Sequence, residues 1–410
     1  MAETITDRNV YILGAGASAH AGAPLIKNFL DYSRELFDQP FSGLEDFEKK
    51  HFQTVFDFRS AMAQAREKIQ LDLDDIEQLF GLVEVSRRLR DIPLETRNST
   101  VYLIAKTLQM AIEAQKEKRG RFGVPFRKEF SKDVFHARPG VPYHEEGDVF
   151  RIDPYDFFAG MVSGVFDDPQ KRKYRKDTII TFNYDLVCEH ALRRFGIEAD
   201  YGLDPEKVID QRELEGKERF EVLKLHGSTN WGICGACETR VVVLSQKVTD
   251  SPGEFRNLTC PNCKLPDFVP LLIPPSWDKS GYADIIAPVW KRAVDELKSA
   301  TRICIIGYSI PETDAFFKYL ITMALAGNHQ LYKLVVVDYR SPIRHHPASL
   351  GVDGYKKDFV KIRYLRLLDK LFRERRFAYY DEGFIRFLQH YWSRRDLGRC
   401  EMLVDTDFGT

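Results

Sequence analysis

The sequence is short of the features that would settle its class at once. It has no basic N-terminal segment followed by a long apolar stretch, so the opening MAETITDRNVYILG is not expected to be a signal peptide. It has no uninterrupted apolar run of about 18 residues, so no membrane span is expected. Cysteine is scarce: seven residues in a chain of 410 are too few for a secretory disulfide framework. Net charge is almost nil at −1, against a nucleic-acid binder driven by bulk charge. Local basic runs at Lys171 to Lys176 and Lys356 to Arg376 leave direct nucleic-acid contact open beside the reading as solvated helix faces. Repeats, low-complexity tracts and a Walker motif are also lacking. These absences point to a cytoplasmic globular protein with no membrane association.

With 44% hydrophobic and 12% aromatic residues, the chain can bury a sizeable core. Short apolar runs recur, each stopping at polar or glycine residues. They are Val10 to Leu13, Thr178 to Thr181, Val222 to Leu225, Arg302 to Ile306 and Leu334 to Val337. Helical stretches lie between several of them, after Asp185 and from Ala287 to Ala300, and a helix is expected from Pro24 onward. Such alternation predicts an α/β fold, a Rossmann-like doubly wound parallel sheet. Ligands of these sheets sit beyond the carboxyl ends of the strands, where each of the polar motifs falls. Residues 42–118 read as helical, with Ile76, Leu79, Phe80 and Val83 at helical spacing, and 116–176 as loops with short helices. The expected division is a catalytic domain of residues 1–41 and 177–345, a mainly helical insertion at 42–176, and a helical tail at 346–410.

Gly14-Ala15-Gly16-Ala17-Ser18, followed by Gly22 and Pro24, is a glycine-rich turn between a strand and helical sequence. Its small residues would let backbone amides approach a pyrophosphate at a helix N-terminus. An ordinary dinucleotide fold also needs an acid about 20 positions on, at the end of a second strand. Asp31, Glu35 and Asp38 lie in helical sequence instead, and Asp338, closing LVVVD, is the better ribose ligand. Two Cys-x-x-Cys pairs, Cys234/Cys237 and Cys260/Cys263, stand 22 residues apart. Four thiolates complete a closed tetrahedral Zn²⁺ site, so the metal is expected to be structural, in a ribbon at about 232–266. Cys188, Cys304 and Cys400 read as ordinary buried thiols.

Together these motifs resemble the sirtuin family. Gly14 to Pro24 fits its GAG-x-S-x-x-x-G-x-P, and Thr181 to Asp185 its T-x-N-x-D. His226-Gly227, the cysteine pairs and Gly307-Tyr308-Ser309 follow in family order. The resemblance covers about 9–34 and 177–340. It implies NAD⁺ as the bound dinucleotide, Asn183 orienting the ribose and His226 acting as base, with cleavage of the nicotinamide–ribose bond. It also implies Gly14, Ala15, Gly16, Ser18, Gly22 and Pro24 along the cofactor, Asp185 on the carboxamide, and Gly307, Ser309 and Asp338 on the adenosine side. Asp338 near a ribose would repel a 2′-phosphate and so favours NAD⁺.

Two departures matter. Leu25-Ile26-Lys27 replaces the D-F-R of protein deacylases, and the proline-bearing Val269 to Trp277 replaces the loop that pairs with an acyl-lysine peptide. Phe182, Tyr184 and GYSIPETDAFF resemble the NAD⁺-hydrolysing sirtuin-like branch of bacterial anti-phage defence. That branch implies a regulated hydrolase giving nicotinamide and ADP-ribose, a homo-oligomer, and a separate ATPase such as a HerA-type translocase. A deacylase or ADP-ribosyltransferase, and a non-catalytic sensor of NAD or ADP-ribose, stay open. The helical region and the tail segment Phe384 to Trp392 are candidates for oligomer contacts or a gate, or are ordinary core.

Overall fold

The computed structural model describes residues 7–40, 42–66, 72–115, 124–127, 143–146, 149–166, 175–245, 251–266, 268–274, 283–311, 314–339 and 359–395. Its strands, in chain order, are β1 (Asp7–Leu13), β2 (Val124–Arg127), β3 (Tyr143–Glu146), β4 (Val149–Ile152), β5 (Arg175–Thr181), β6 (Ile197–Asp200) and β7 (Val208–Asp210). They continue as β8 (Glu218–Lys224), β9 (Gly227–Cys234), β10 (Val241–Val243), β11 (Phe268–Leu272), β12 (Arg302–Ile306), β13 (Lys333–Val337) and β14 (Phe377–Tyr380). Seven of them form the central sheet in the order β14-β13-β12-β1-β5-β8-β6. All its pairings are parallel, which requires helical crossovers and burial of both faces. The runs RICII and KLVVV accordingly carry almost no polar side chain. The expected Rossmann-like α/β fold is the one observed.

The chain leaves β1 toward β5 on one side and later returns to β12 on the other. A crevice opens at such a switch point, beyond the strand ends. Register makes the alignment tight. Leu13 pairs with both Thr181 and Ile306, Ile306 with Val337, and Thr181 with Lys224. The next residue of each strand therefore falls in one row, Asp338, Gly307, Gly14, Phe182 and Leu225. Backbone bonds tie the row down: Gly14 N–H to Ile306 O at 2.9 Å, Gly307 N–H to Val337 O at 2.9 Å, and Phe182 N–H to Leu13 O at 3.0 Å.

Three helices, Asp46–Arg66, Ile76–Arg88 and Leu94–Gln115, build a second core around Phe52, Val55, Leu79, Phe80, Val101 and Leu103. Asp75 caps the middle helix by accepting from the N–H groups of Glu77 and Gln78. Buried ion pairs Arg97–Glu84 at 2.9 Å and Lys106–Glu48 at 2.7 Å fix the third helix against its neighbours. A smaller sheet, β11-β9-β10-β7, carries the cysteine pairs on its own core of Val242, Leu244, Phe255 and Phe268.

Four sequence expectations shift. The helix expected from Pro24 starts at Phe29, because Leu25 is extended and Ile26–Asn28 forms a 3₁₀ turn first. The run Val222 to Leu225 ends as strand at Lys224. Within 116–176 a three-stranded antiparallel sheet, β2-β4-β3, replaces loops; its strands are four residues each, too short for period-two alternation to register. The helix Pro154–Val162 of the same stretch is buried in the main core. Finally, the tail is not only helical, since β14 extends the central sheet beyond β13. Cys400 lies outside the described residues, while Cys188 and Cys304 are buried as expected.

Candidate functional site

A cavity of about 380 Å³ opens over the row of strand ends. Of the site residues expected from sequence, Ala15, Gly16, Pro24, Asn183, Asp185, His226, Gly307, Ser309 and Asp338 line it. Gly14, Ser18 and Gly22 are not among its lining residues. Gly14 and Ser18 are buried, and half-buried Gly22 lies against Ala111 and Gln115.

Gly14, Gly16 and Gly307 serve the packing of two turns against one another. A Cβ on Gly14 would stand 2.6 Å from Gly307 O, and one on Gly307 would stand 2.2 Å from Ala17 N. Gly307 is also left-handed, at φ +63°, where other residues are strained. Gly16 N–H donates to Gly307 O at 2.9 Å, closing the contact. Gly22, at φ +96°, turns the chain toward Pro24.

Ser18 is the hub beneath the cavity floor. Its hydroxyl lies 3.0 Å from the Tyr155 hydroxyl and accepts from Asn183 Nδ2 at 3.0 Å. The same Nδ2 donates to Gly14 O at 3.0 Å. A carbonyl can only accept, so the amide orientation is fixed and both of its hydrogens are committed. What Asn183 has left for a ligand is the Oδ1 acceptor. Its own N–H donates to Thr181 Oγ1 at 3.1 Å, holding the turn after β5.

Asp185 is buried, and its Oδ1 accepts from Val187 N–H at 3.0 Å. Burial pushes its carboxyl above the usual carboxylate range, while the Lys224 ammonium, the Val187 N–H and the Ser18 hydroxyl pull the other way. Lys224 itself is fully buried. It donates to Asp185 O and to Glu189 Oε1, the latter at 2.8 Å, so a buried ion pair underlies the site.

His226, the second residue after β8, is buried in an aromatic corner. The Phe182 ring meets it edge-on at 5.0 Å, and Tyr184 lies tilted at 6.3 Å. The Tyr184 hydroxyl donates to Ile273 O at 2.8 Å, and His226 O accepts from Ile273 N–H at 2.9 Å. Asp338 follows β13, and its two carboxylate oxygens accept from Tyr339 N–H at 2.8 Å and the Tyr379 hydroxyl at 2.7 Å. The helical wall is mostly apolar, with Leu25, Phe29, Ile76, Phe80, Ile104 and Leu108 beside Lys27 and Glu77.

Sequence reasoning gave no role to that wall or to Tyr155, and none individually to Tyr308 and Asp314, although both lie in GYSIPETDAFF. Asp314 carried a further signal, as an acid just before an apolar helical run, where it caps Ala315–Ala326 by accepting from Phe317 N–H at 3.2 Å. The Val269 to Trp277 segment is described only to Pro274. Its β11 already pairs with β9, with a register shift after Pro270.

The four cysteines converge as expected. Cys234 and Cys263 Sγ are 3.5 Å apart, Cys237 and Cys260 Sγ 3.7 Å, and all four sulfurs lie within 4.8 Å of one another. Sulfurs at about 2.3 Å from a tetrahedral zinc stand about 3.8 Å apart, so the cluster fits that ion. No described helix is long and apolar enough to cross a membrane.

The SIR2-like family model matches residues 177–356. Among solved structures, the chain is similar to Sir2Tm bound to a propionylated peptide, at 12% identity and TM-score 0.37 over 95% of this chain and 94% of that one. Sir2 bound to acetylated peptide gives the same identity, TM-score and coverage. A structure described as the structural basis for the mechanism and regulation of Sir2 enzymes gives 16% identity and TM-score 0.31 over 82% of each chain. No curated protein matches the chain.

Proposed function

From the premise that residues 177–356 form a SIR2-like domain, we propose that this protein binds NAD⁺ in the cavity and hydrolyses its nicotinamide–ribose bond. The observation that carries the reading is the state of Asn183, an amide with both hydrogens committed and its Oδ1 remaining, in one cavity with His226. When the bond from C1′ to the pyridinium nitrogen breaks, its electron pair leaves with neutral nicotinamide and positive charge grows on the ribose, as in glycoside hydrolysis. Asn183 Oδ1 accepts a hydrogen bond from a ribose hydroxyl or the entering water. Water oxygen bonds to C1′, and His226 takes the released proton, work suited to an imidazole near neutral pH. Asp185 holds the carboxamide, and Asp338 the adenosine ribose.

Hydrolysis is preferred over acyl transfer because Pro270, on the edge strand β11, has no N–H to donate to a pairing peptide strand. The test is the purified protein with NAD⁺ alone. Nicotinamide and ADP-ribose should appear, and Asn183→Ala should slow their release by at least about 100-fold. Turnover that requires an acyl-lysine peptide would replace this reading with a deacylase. Tight binding without product would replace it with a sensing module.

The four-cysteine cluster is proposed to hold a structural Zn²⁺. Its four thiolates fill the coordination shell and leave no position for substrate, and the surrounding core is small enough to depend on it. Cys260→Ser should lose stoichiometric zinc and melt at markedly lower temperature, because metal binding contributes directly to folding. Unchanged melting with altered turnover would instead give the metal a catalytic role. A role as a regulated NAD⁺-depleting effector of anti-phage defence, assembled as a homo-oligomer with a separate ATPase, rests on the resemblance of Phe182, Tyr184 and GYSIPETDAFF. A neighbouring gene for a translocase, or its absence, checks it.

A further inference from the structure

Asp314 is fully buried at the cavity edge. Its Oδ2 lies 3.8 Å from His226 Nε2, beyond a hydrogen bond but within ion-pair range of a protonated imidazole. Two hydrogen bonds keep it there. Oδ1 accepts from Phe317 N–H, and Oδ2 accepts from the Tyr308 hydroxyl at 2.5 Å. Tyr308 stacks on Phe182 at 4.6 Å, and Phe182 is the ring that meets His226. The backbone of Tyr308 is held in turn by the Tyr364 hydroxyl, which donates to its carbonyl at 2.6 Å. Ile310 adopts φ +51°, an outlier for a β-branched residue, which persists only where the surroundings impose it. The turn after β12 is therefore over-determined, and its consequence is a carboxylate aimed at the histidine.

We propose that Asp314 is the positioning residue of His226, holding the imidazole in the cavity and stabilising it by charge once it has taken a proton. The inference rests on the NAD⁺-cleavage reading for the origin of that proton, but the pairing itself does not. Among the described residues, Asp314 lies within ion-pair distance of His226; the other ionisable side chains lining the cavity are Lys27, Glu77, Asp185 and Asp338, with the Tyr184 and Tyr308 phenols. Tyr308 stays a neutral donor, since burial and the adjacent Asp314 push its phenol well above the ordinary range. The Asp314 carboxylate thus shares one oxygen between a fixed donor and the site's base.

Asp314→Asn separates charge from scaffolding, because asparagine also caps helices and accepts from a hydroxyl. The imidazole of His226 should be followed by histidine-selective NMR in the parent and the variant, with His226→Ala assigning its signal among the ten histidines. Loss of an adjacent negative charge should lower its titration midpoint by about one to three pH units. The acid limb of kcat/KM for NAD⁺ cleavage should move down with it, and Asp314→Glu should restore part of the shift. An unchanged midpoint in the folded variant overturns the proposal. A shifted midpoint in a protein that never cleaves NAD⁺ upholds the pairing and overturns the hydrolase reading instead. Should the asparagine variant fail to fold, Asp314→Ser, which also caps, takes its place with the same two outcomes.

Discussion

The two walls of the cavity are built on opposite principles. The sheet-side wall is a row of strand ends that bring Asn183, Asp185, His226 and Asp338 to one edge, over the buried Lys224–Glu189 pair. The helical wall offers Ile76, Phe80, Ile104 and Leu108, whose burial holds three helices together. On the sheet side, polar and charged groups are held away from water, which costs stability to the extent that their pairing does not compensate it. On the helical side, apolar area is removed from water at a gain of about 25 cal/mol per Å². The proposed chemistry thus falls on the side that holds polar groups away from water, and cohesion on the side that faces it.

That division can be attacked first at its strongest point. Phe80 is buried in the helical core and also lines the cavity. Phe80→Ala should reduce unfolding free energy by about 3–5 kcal/mol, through lost transfer energy and the void left behind. Chemical denaturation would show this as a lower midpoint, with KM for NAD⁺ rising more than kcat falls, since no reacting group is removed. A loss below about 1 kcal/mol with kcat abolished would mean that the helical wall takes part in the chemistry, and the contrast would collapse.

The same contrast explains what could be read from the chain beforehand. The sheet side was legible because each buried β run stops abruptly at a polar motif, and parallel strands necessarily gather those motifs at one edge. The register that aligns Gly14, Gly307 and Phe182 follows from that rule. The helical wall was not legible, because Ile76 and Phe80 at i and i+4 look the same whether they face a core or a cavity. Asp314 could be read as a cap, yet nothing in spacing reveals that its second carboxylate oxygen lies near a histidine from a different strand end. Tyr155 comes from a stretch whose glycines, prolines and charges read as loop, although its helix is among the most buried in the molecule. Ser18 was singled out for a cofactor, and spacing gave no sign that its hydroxyl also accepts from Asn183 Nδ2.

A finer test concerns the electrostatic cost at Asp185. Burial raises its carboxyl pKa above the 3.8 of an exposed aspartate, against the pull of Lys224. Between 3.8 and the raised folded value, the folded state holds the proton more tightly than the unfolded chain. Stability therefore falls as pH rises through that window, and above it the ionised carboxylate remains a standing penalty. Asp185→Asn removes the titration while keeping an acceptor for Val187 N–H. Its melting temperature should match the parent in acid and exceed it at neutral pH, by less than the change at Phe80, while NAD⁺ turnover drops. If the variant instead melts lower at neutral pH, the carboxylate is needed by Lys224. The sheet-side wall would then be a self-consistent ion network rather than a strained one, and the stabilising role could no longer be assigned to the helices alone.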